Sequence, residues 1–227
     1  MICRVKFGEN AAGKFLSHLD MLRAWQRAIS RSGLPLSYSN GFNKHPKLAF
    51  SAALSVGFTS VAEYADIEFD EELALDNIFA RLKTNLPPAL EIYDIKELSK
   101  NDAAIMSIVE RAAYRAILQA ADISEQTAQE AVKSILSQET LEVSRRKKNS
   151  RETKMIDIRP WIYTLEAVKD DDYIVLDFIV QNSNDGNVKP QEVIDLFIAI
   201  LGGAVLNIER REMYAQKNGQ FVAVMEV

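Results

Sequence analysis

Cysteine is almost absent: of 227 residues only Cys3 carries a thiol. No disulfide can close within the chain, and a cytoplasmic setting is the expectation. One thiol also excludes an intrinsic three-cysteine iron–sulfur cluster. With only two histidines beside it, no structural zinc site is expected, and no other cofactor either. No apolar run approaches the ~18 residues of a membrane span. Arg4 and Lys6 interrupt any apolar core at the start, so no signal peptide is expected. Missing too are a Walker loop, a G-x-G-x-x-G fingerprint, a G-x-S-x-G elbow and an H-E-x-x-H zinc motif, so no reaction is named by motif.

What is present is ordinary in amount and uneven in placement. With 48% hydrophobic and 26% charged residues the chain reads as globular, and it is long enough for one large or two small domains. The net charge is −5, but residues 1–50 hold eight Lys/Arg against two acids, giving +6. Residues 145–159 hold seven against two, giving +5, and the acids concentrate in the stretches between and after. Concentrated basic patches on an acidic chain imply local anion binding, not general polyanion affinity.

The richest stretch is FLSHLDMLRAWQRAISRSGLPLSYSNGFNKHPKLAF, residues 15–50. Ser17 and Asp20 match a capping box, with Leu16 and Met21 spaced as a hydrophobic staple. Gly33 followed by Pro35 ends the helix, predicting an α-helix from His18 to Ser32. At about 100° per residue, Phe15, His18, Leu19, Leu22, Trp25 and Ile29 share one arc. Arg23, Arg27 and Arg31, spaced by four, share another. That arginine face is either a solvated helix surface or a phosphate-binding stripe, since guanidinium forks match phosphate geometry. His18, inside the apolar arc, is a packed histidine or a neutral base.

After the helix, Asn40-Gly41 marks a turn and Pro46 pushes His45 towards extended geometry. Lys44, His45 and Lys47 are interleaved with Tyr38, Phe42 and Phe50. Cations beside aromatics suit phosphates with stacked bases, Tyr38 and Phe42 being the stacking candidates; a polar connecting loop is the plain alternative. A second basic turn holds Arg145, Arg146, Lys147, Lys148, Arg151 and Lys154. It is either a solvated hairpin tip or a second phosphate-binding patch.

Periodicity gives the architecture. Ile2–Phe7, Leu48–Val56, Glu63–Asp70 and Leu90–Leu98 read as strands, with a helix at 75–86 ended by Pro87-Pro88. In Glu63–Asp70, Ala65, Ile67 and Phe69 point one way and Tyr64, Asp66, Glu68 and Asp70 the other, a sheet with one wet face. The order β-α-β-β-α-β is the ferredoxin-like arrangement. A second set follows: strands over 112–119, 140–146, 154–165, 173–180, 204–214 and 220–227, with helices around 128–136 and from Pro190 to 201. The expectation is an α+β fold of tandem ferredoxin-like halves with antiparallel sheets, divided at 1–103 and 104–227.

The SHLD block and GFNKHPK, followed by an acidic strand with Glu63 and Asp66, resemble the radical-SAM-linked protein family. This is a bacterial domain family of unknown function whose members lie beside, or are fused to, radical-SAM proteins that also carry a cobalamin-binding-type domain. RETKMIDIRPWI fits it too, through Lys154, Asp157, Arg159 and Pro160. Lys44 departs from the family's GFNPHPK, making this loop more basic and less rigid. The resemblance implies partners more than chemistry. With one cysteine here, any radical-SAM enzyme is a separate polypeptide. Together with the basic patches it leads to the expectation of an accessory protein that binds RNA, with no preference for DNA and no membrane, and presents a ribosomal or transfer RNA to a radical-SAM protein. The alternatives are metal-independent RNA cleavage or modification by His18, His45 and Lys47, and a protein–protein adaptor.

Overall fold

The computed structural model describes residues 1–99, 101–146, 150, 152–183 and 185–227. The elements run β1 (Ile2–Glu9), α1 (His18–Ser32), β2 (Leu48–Phe50), β3 (Thr59–Glu68), α2 (Leu75–Asn85), β4 (Leu90–Leu98) and α3 (Ile105–Ile108). They continue with β5 (Val109–Gln119), α4 (Glu125–Leu136), β6 (Glu142–Arg146), β7 (Thr153–Asp157), β8 (Ile162–Asp170), β9 (Tyr173–Ser183) and β10 (Gly186–Asn187). Last come α5 (Pro190–Leu201), β11 (Ala204–Lys217) and β12 (Gln220–Ala223). The fold is α+β, with five α-helices among the described residues and mostly antiparallel strand pairing.

Two compact units emerge: residues 1–109 with 210–227, and residues 110–209. The sequence had pointed to a division at 103, with everything after it in the second half. In the structure residues 210–227 belong with the first unit. The cause is β11, long enough to begin in one unit and end in the other, whose Arg210 and Glu212 bond to β3 and β1 of the first.

In the first unit, β1 lies between β3 and β4, antiparallel to both, and β2 pairs with β3. Pleat alternation sends Cys3, Val5 and Phe7 into the core and Arg4 and Lys6 to the opposite face. Trp25 anchors that core, fully buried and edge-on to Phe7 with ring centroids 4.9 Å apart. Ile29 from α1, Ile78 and Leu82 from α2, and Ile67 from β3 complete it. α1 begins and ends where its caps predict. The Ser17 hydroxyl oxygen accepts from the Asp20 backbone N–H at 3.2 Å, and Gly33 closes the helix in the left-handed region at φ 67°. The Asp20 carboxylate accepts from the Ser17 hydroxyl at 2.6 Å, in place of the backbone bond of a full capping box.

The strand expected over Leu48–Val56 ends at Phe50, because the chain then bends to aim the Ala52 and Ala53 carbonyls at Arg210. The face over 63–70 expected to be wet is dry at one end: Tyr64 is fully buried, donating its hydroxyl to Glu212, and Asp66 is half-buried against Arg4, while Asp70 is exposed.

The second unit orders its strands β8–β9–β5, with β10 on the far edge of β9 and β11 beside β5. Ala128, Ala131, Val132 and Ile135 of α4 and Val193, Ile194 and Phe197 of α5 are buried, as are Leu176, Phe178 and Val180 of β9. Tyr114 and Phe178 stack across β5 and β9 at 5.7 Å. β6 and β7 form their own two-stranded hairpin. The strand expected over 154–165 is broken by a 3-10 turn at Arg159–Trp161, where Pro160 has no N–H to give a ladder.

Candidate nucleic-acid interface

The outer face of α1 carries its three arginines exposed, as their four-residue spacing requires. Their partners differ. Arg23 faces Asp20 at 3.9 Å, one turn back. Arg31 donates to the Asn85 carbonyl at the end of α2. Arg27 makes no hydrogen bond or ion pair among the described residues. Arg27 and Arg31 line a cavity of about 390 Å³ between α1 and the turn at Pro87–Ala89. Asp20 shares that cavity. The Ser17 hydroxyl bonded to it, with Arg23 and Arg27 adding to the effect, lowers its carboxyl from the usual range.

The 38–47 loop is pinned at its base. Tyr38 bridges Pro46, the Ser39 N–H donates to the His45 carbonyl at 2.8 Å, and the His45 N–H donates to the Ser39 hydroxyl at 2.9 Å. Gly41, at φ 125°, makes the sharp turn that a side chain would resist. Phe42 follows it with its side chain wholly in solvent, and Tyr38 is half exposed. Lys44 and His45 are exposed, and Lys44 has no ion-pair partner among the described residues. Lys47 is committed to Glu68 at 2.6 Å. His18 is exposed at the first position of α1, edge-on to Phe50 at 5.8 Å. No hydrogen bond joins His18, His45 and Lys47 among the described residues.

In the second unit the basic turn divides. Arg145 is spent on structure: its guanidinium grips Glu192 of α5 at 2.7 and 2.5 Å and reaches Asn187 at 3.0 and 2.8 Å. Arg146 donates to the Ser150 carbonyl at 2.8 Å, and Lys154 is exposed. Lys147, Lys148 and Arg151 lie outside the described residues.

Sequence reasoning missed a buried polar network in the first unit. Arg210 and Glu63, 2% exposed each, pair at 2.8 and 3.0 Å, and Arg210 also donates to the Ala52 and Ala53 carbonyls. Beside them lies Glu9, 4% exposed. Burial and the neighbouring Glu63 push its carboxyl up to about 7, against the opposing pull of Arg210. Lys6 and Tyr64 meet at Glu212, the lysine at 2.6 Å. Burial, reinforced by Glu212, raises the Tyr64 phenol well above its ordinary value. No local pattern announces these pairs, because each joins residues 147 to 206 positions apart.

Residues 3–190 match the family described as Uncharacterized protein conserved in bacteria (DUF2344), and the chain belongs to that family. Comparison with curated proteins found no match. Among solved structures, the chain is similar in fold to a chain of "Crystal Structure of a Cbf5-Nop10-Gar1 Complex". The TM-score is 0.52 at 9% identity, over 93% of this chain and 48% of that one, so this chain spans about half the length of its match.

Proposed function

We propose that this DUF2344 member is a non-catalytic cytoplasmic RNA-binding protein that presents a ribosomal or transfer RNA to a radical-SAM partner enzyme. The observation that carries the reading is the 38–47 loop. Phe42 stands wholly in solvent at the tip of a pinned turn, with Tyr38 at its base and the unpaired Lys44 two residues on. Aromatic faces beside unpaired cations are the equipment for stacking unpaired bases while holding their phosphates. Arg27 extends the cationic character onto α1.

The partner enzyme enters through the resemblance of the SHLD and GFNKHPK blocks. The frame, in this reading, is a pair of ferredoxin-like halves. What supports it is the strand order β4–β1–β3 with β2 on β3 in the first unit, and β8–β9–β5 with β11 beside β5 in the second. RNA is favoured over an adaptor role for the acidic strand because its acids are already neutralised, Asp66 by Arg4 and Glu68 by Lys47.

The test is a gel-shift titration of the whole chain against structured RNA. Affinity should fall steeply as salt rises from about 50 to 200 mM. Replacing Phe42 and Lys44 together by alanine should weaken binding by about 1–3 kcal/mol, the scale of one stacked base, without lowering the unfolding midpoint. Failure to bind total cellular RNA, or binding that ignores both salt and the double variant, refutes the reading.

A further inference from the structure

We infer that the cavity between α1 and the Pro87–Ala89 turn is a site for one monophosphorylated nucleotide, its phosphate on the guanidiniums of Arg27 and Arg31 and its base against Leu16, Ala24 and Pro87. The inference rests on the RNA reading and sharpens it from a charged surface to a single seat. The cavity, about 390 Å³, falls in the ~300–1,000 Å³ range of small-molecule sites. Its lining joins apolar side chains to a few polar groups, the composition that fixes a planar ring at one end and a charged group at the other.

The two arginines are placed for different tasks. Arg31 is anchored, because its bond to the Asn85 carbonyl fixes the fork and leaves other donors for a ligand. Arg27 brings a guanidinium with no protein partner among the described residues, and such a fork takes two phosphate oxygens in parallel. Asp20 forms no ion pair with either one among the described residues: its carboxylate is held by Ser17 and faced by Arg23, with Arg27 acting on it only at longer range. Two guanidiniums against one carboxylate leave a net charge of +1 around the cavity. That suits a phosphodiester or a monophosphate and disfavours a triphosphate, whose further charges meet Asp20.

The probes are AMP, adenosine and ATP, followed on the whole chain by NMR of the arginine side-chain N–H groups and the Ala24 and Ala89 amides. AMP is expected to move these signals at millimolar or lower concentration, adenosine and ATP at least about tenfold more weakly, the scale of one charge-assisted hydrogen bond. Arg27→Ala should lose the AMP response, and Arg27→Lys should restore only part of it, because an ammonium cannot present the fork. Arg27 is exposed and unpartnered, so both variants should fold.

RNA oligomers then locate the source of the nucleotide. Tighter binding of a 5′-phosphorylated strand than of its 5′-hydroxyl form, lost in Arg27→Ala, identifies a terminal nucleotide. Equal binding of the two forms, weakened by Arg27→Ala and by competing AMP, identifies an internal one. RNA binding that persists with no AMP response, or with no effect of Arg27→Ala, overturns the seat and leaves the RNA reading standing. AMP binding without any RNA binding overturns the RNA reading instead.

Discussion

Replacing Glu9 by glutamine should change how the stability of this protein depends on pH. The Glu9 carboxyl sits 4% exposed beside Glu63, and burial with that neighbouring charge raises it from 4.5 to about 7. The folded state therefore keeps a proton that the unfolded chain releases. The stabilisation is complete below pH 4.5 and is lost as pH rises through about 7. The whole displacement corresponds to about 3 kcal/mol, and solvent screening near the protein surface reduces the expected effect to about 2 kcal/mol. Glutamine matches the protonated acid in shape and stays neutral throughout, so Glu9→Gln should remove this slope. Urea unfolding of both proteins at pH 5 and pH 8 measures it. The parent should lose about 2 kcal/mol more than the variant over that interval, through a shift in midpoint at constant m-value. Equal pH slopes in the two proteins refute the reasoning, because Glu9 is then ionised in the folded state.

The remaining predictions concern the scaffold. Trp25→Ala should cost about 3–5 kcal/mol. Trp25→Phe should cost clearly less in the same urea titration, since it also removes the indole N–H, which is buried without a partner among the described residues. Arg145→Ala leaves Glu192 half-buried without its counter-charge, with an expected loss of about 1–3 kcal/mol and faster amide exchange in β6 and β7. Ser17→Ala removes the α1 cap and should lower stability by about 1 kcal/mol.

How much was legible in the sequence depended on the distance over which each feature is decided. α1 was legible because Ser17 and Gly33 punctuate it within the chain itself. The core face of β1 was legible because Cys3, Val5 and Phe7 alternate with Arg4 and Lys6. The burial of Tyr64 was not, since its alternation with Ala65 promises water and only β11, far along the chain, takes that water away. The Glu63–Arg210 pair was hidden for the same reason. Among the candidate site residues, the sequence pattern named Arg27, Phe42 and Lys44 without deciding whether Phe42 lies on the surface. It could not separate them from Arg145 and Lys47, whose charges are already occupied by Glu192 and Glu68. Charge is written in the sequence, but its availability is settled by tertiary partners.

The passage of β11 from one unit to the other also sets an order in time. The unit of residues 110–209 is a single uninterrupted stretch, able to close on itself once residue 209 has left the ribosome. The unit of residues 1–109 needs a further segment, because Arg210 and Glu212 are made only after the whole of residues 110–209. Until they arrive, Glu63 has no counter-charge and cannot be buried without a large penalty. In order of synthesis, the second unit is therefore complete in sequence before the first. A chain ending at residue 209 would lack both Arg210 and Glu212, the partners of Glu63, Lys6 and Tyr64 in the first unit.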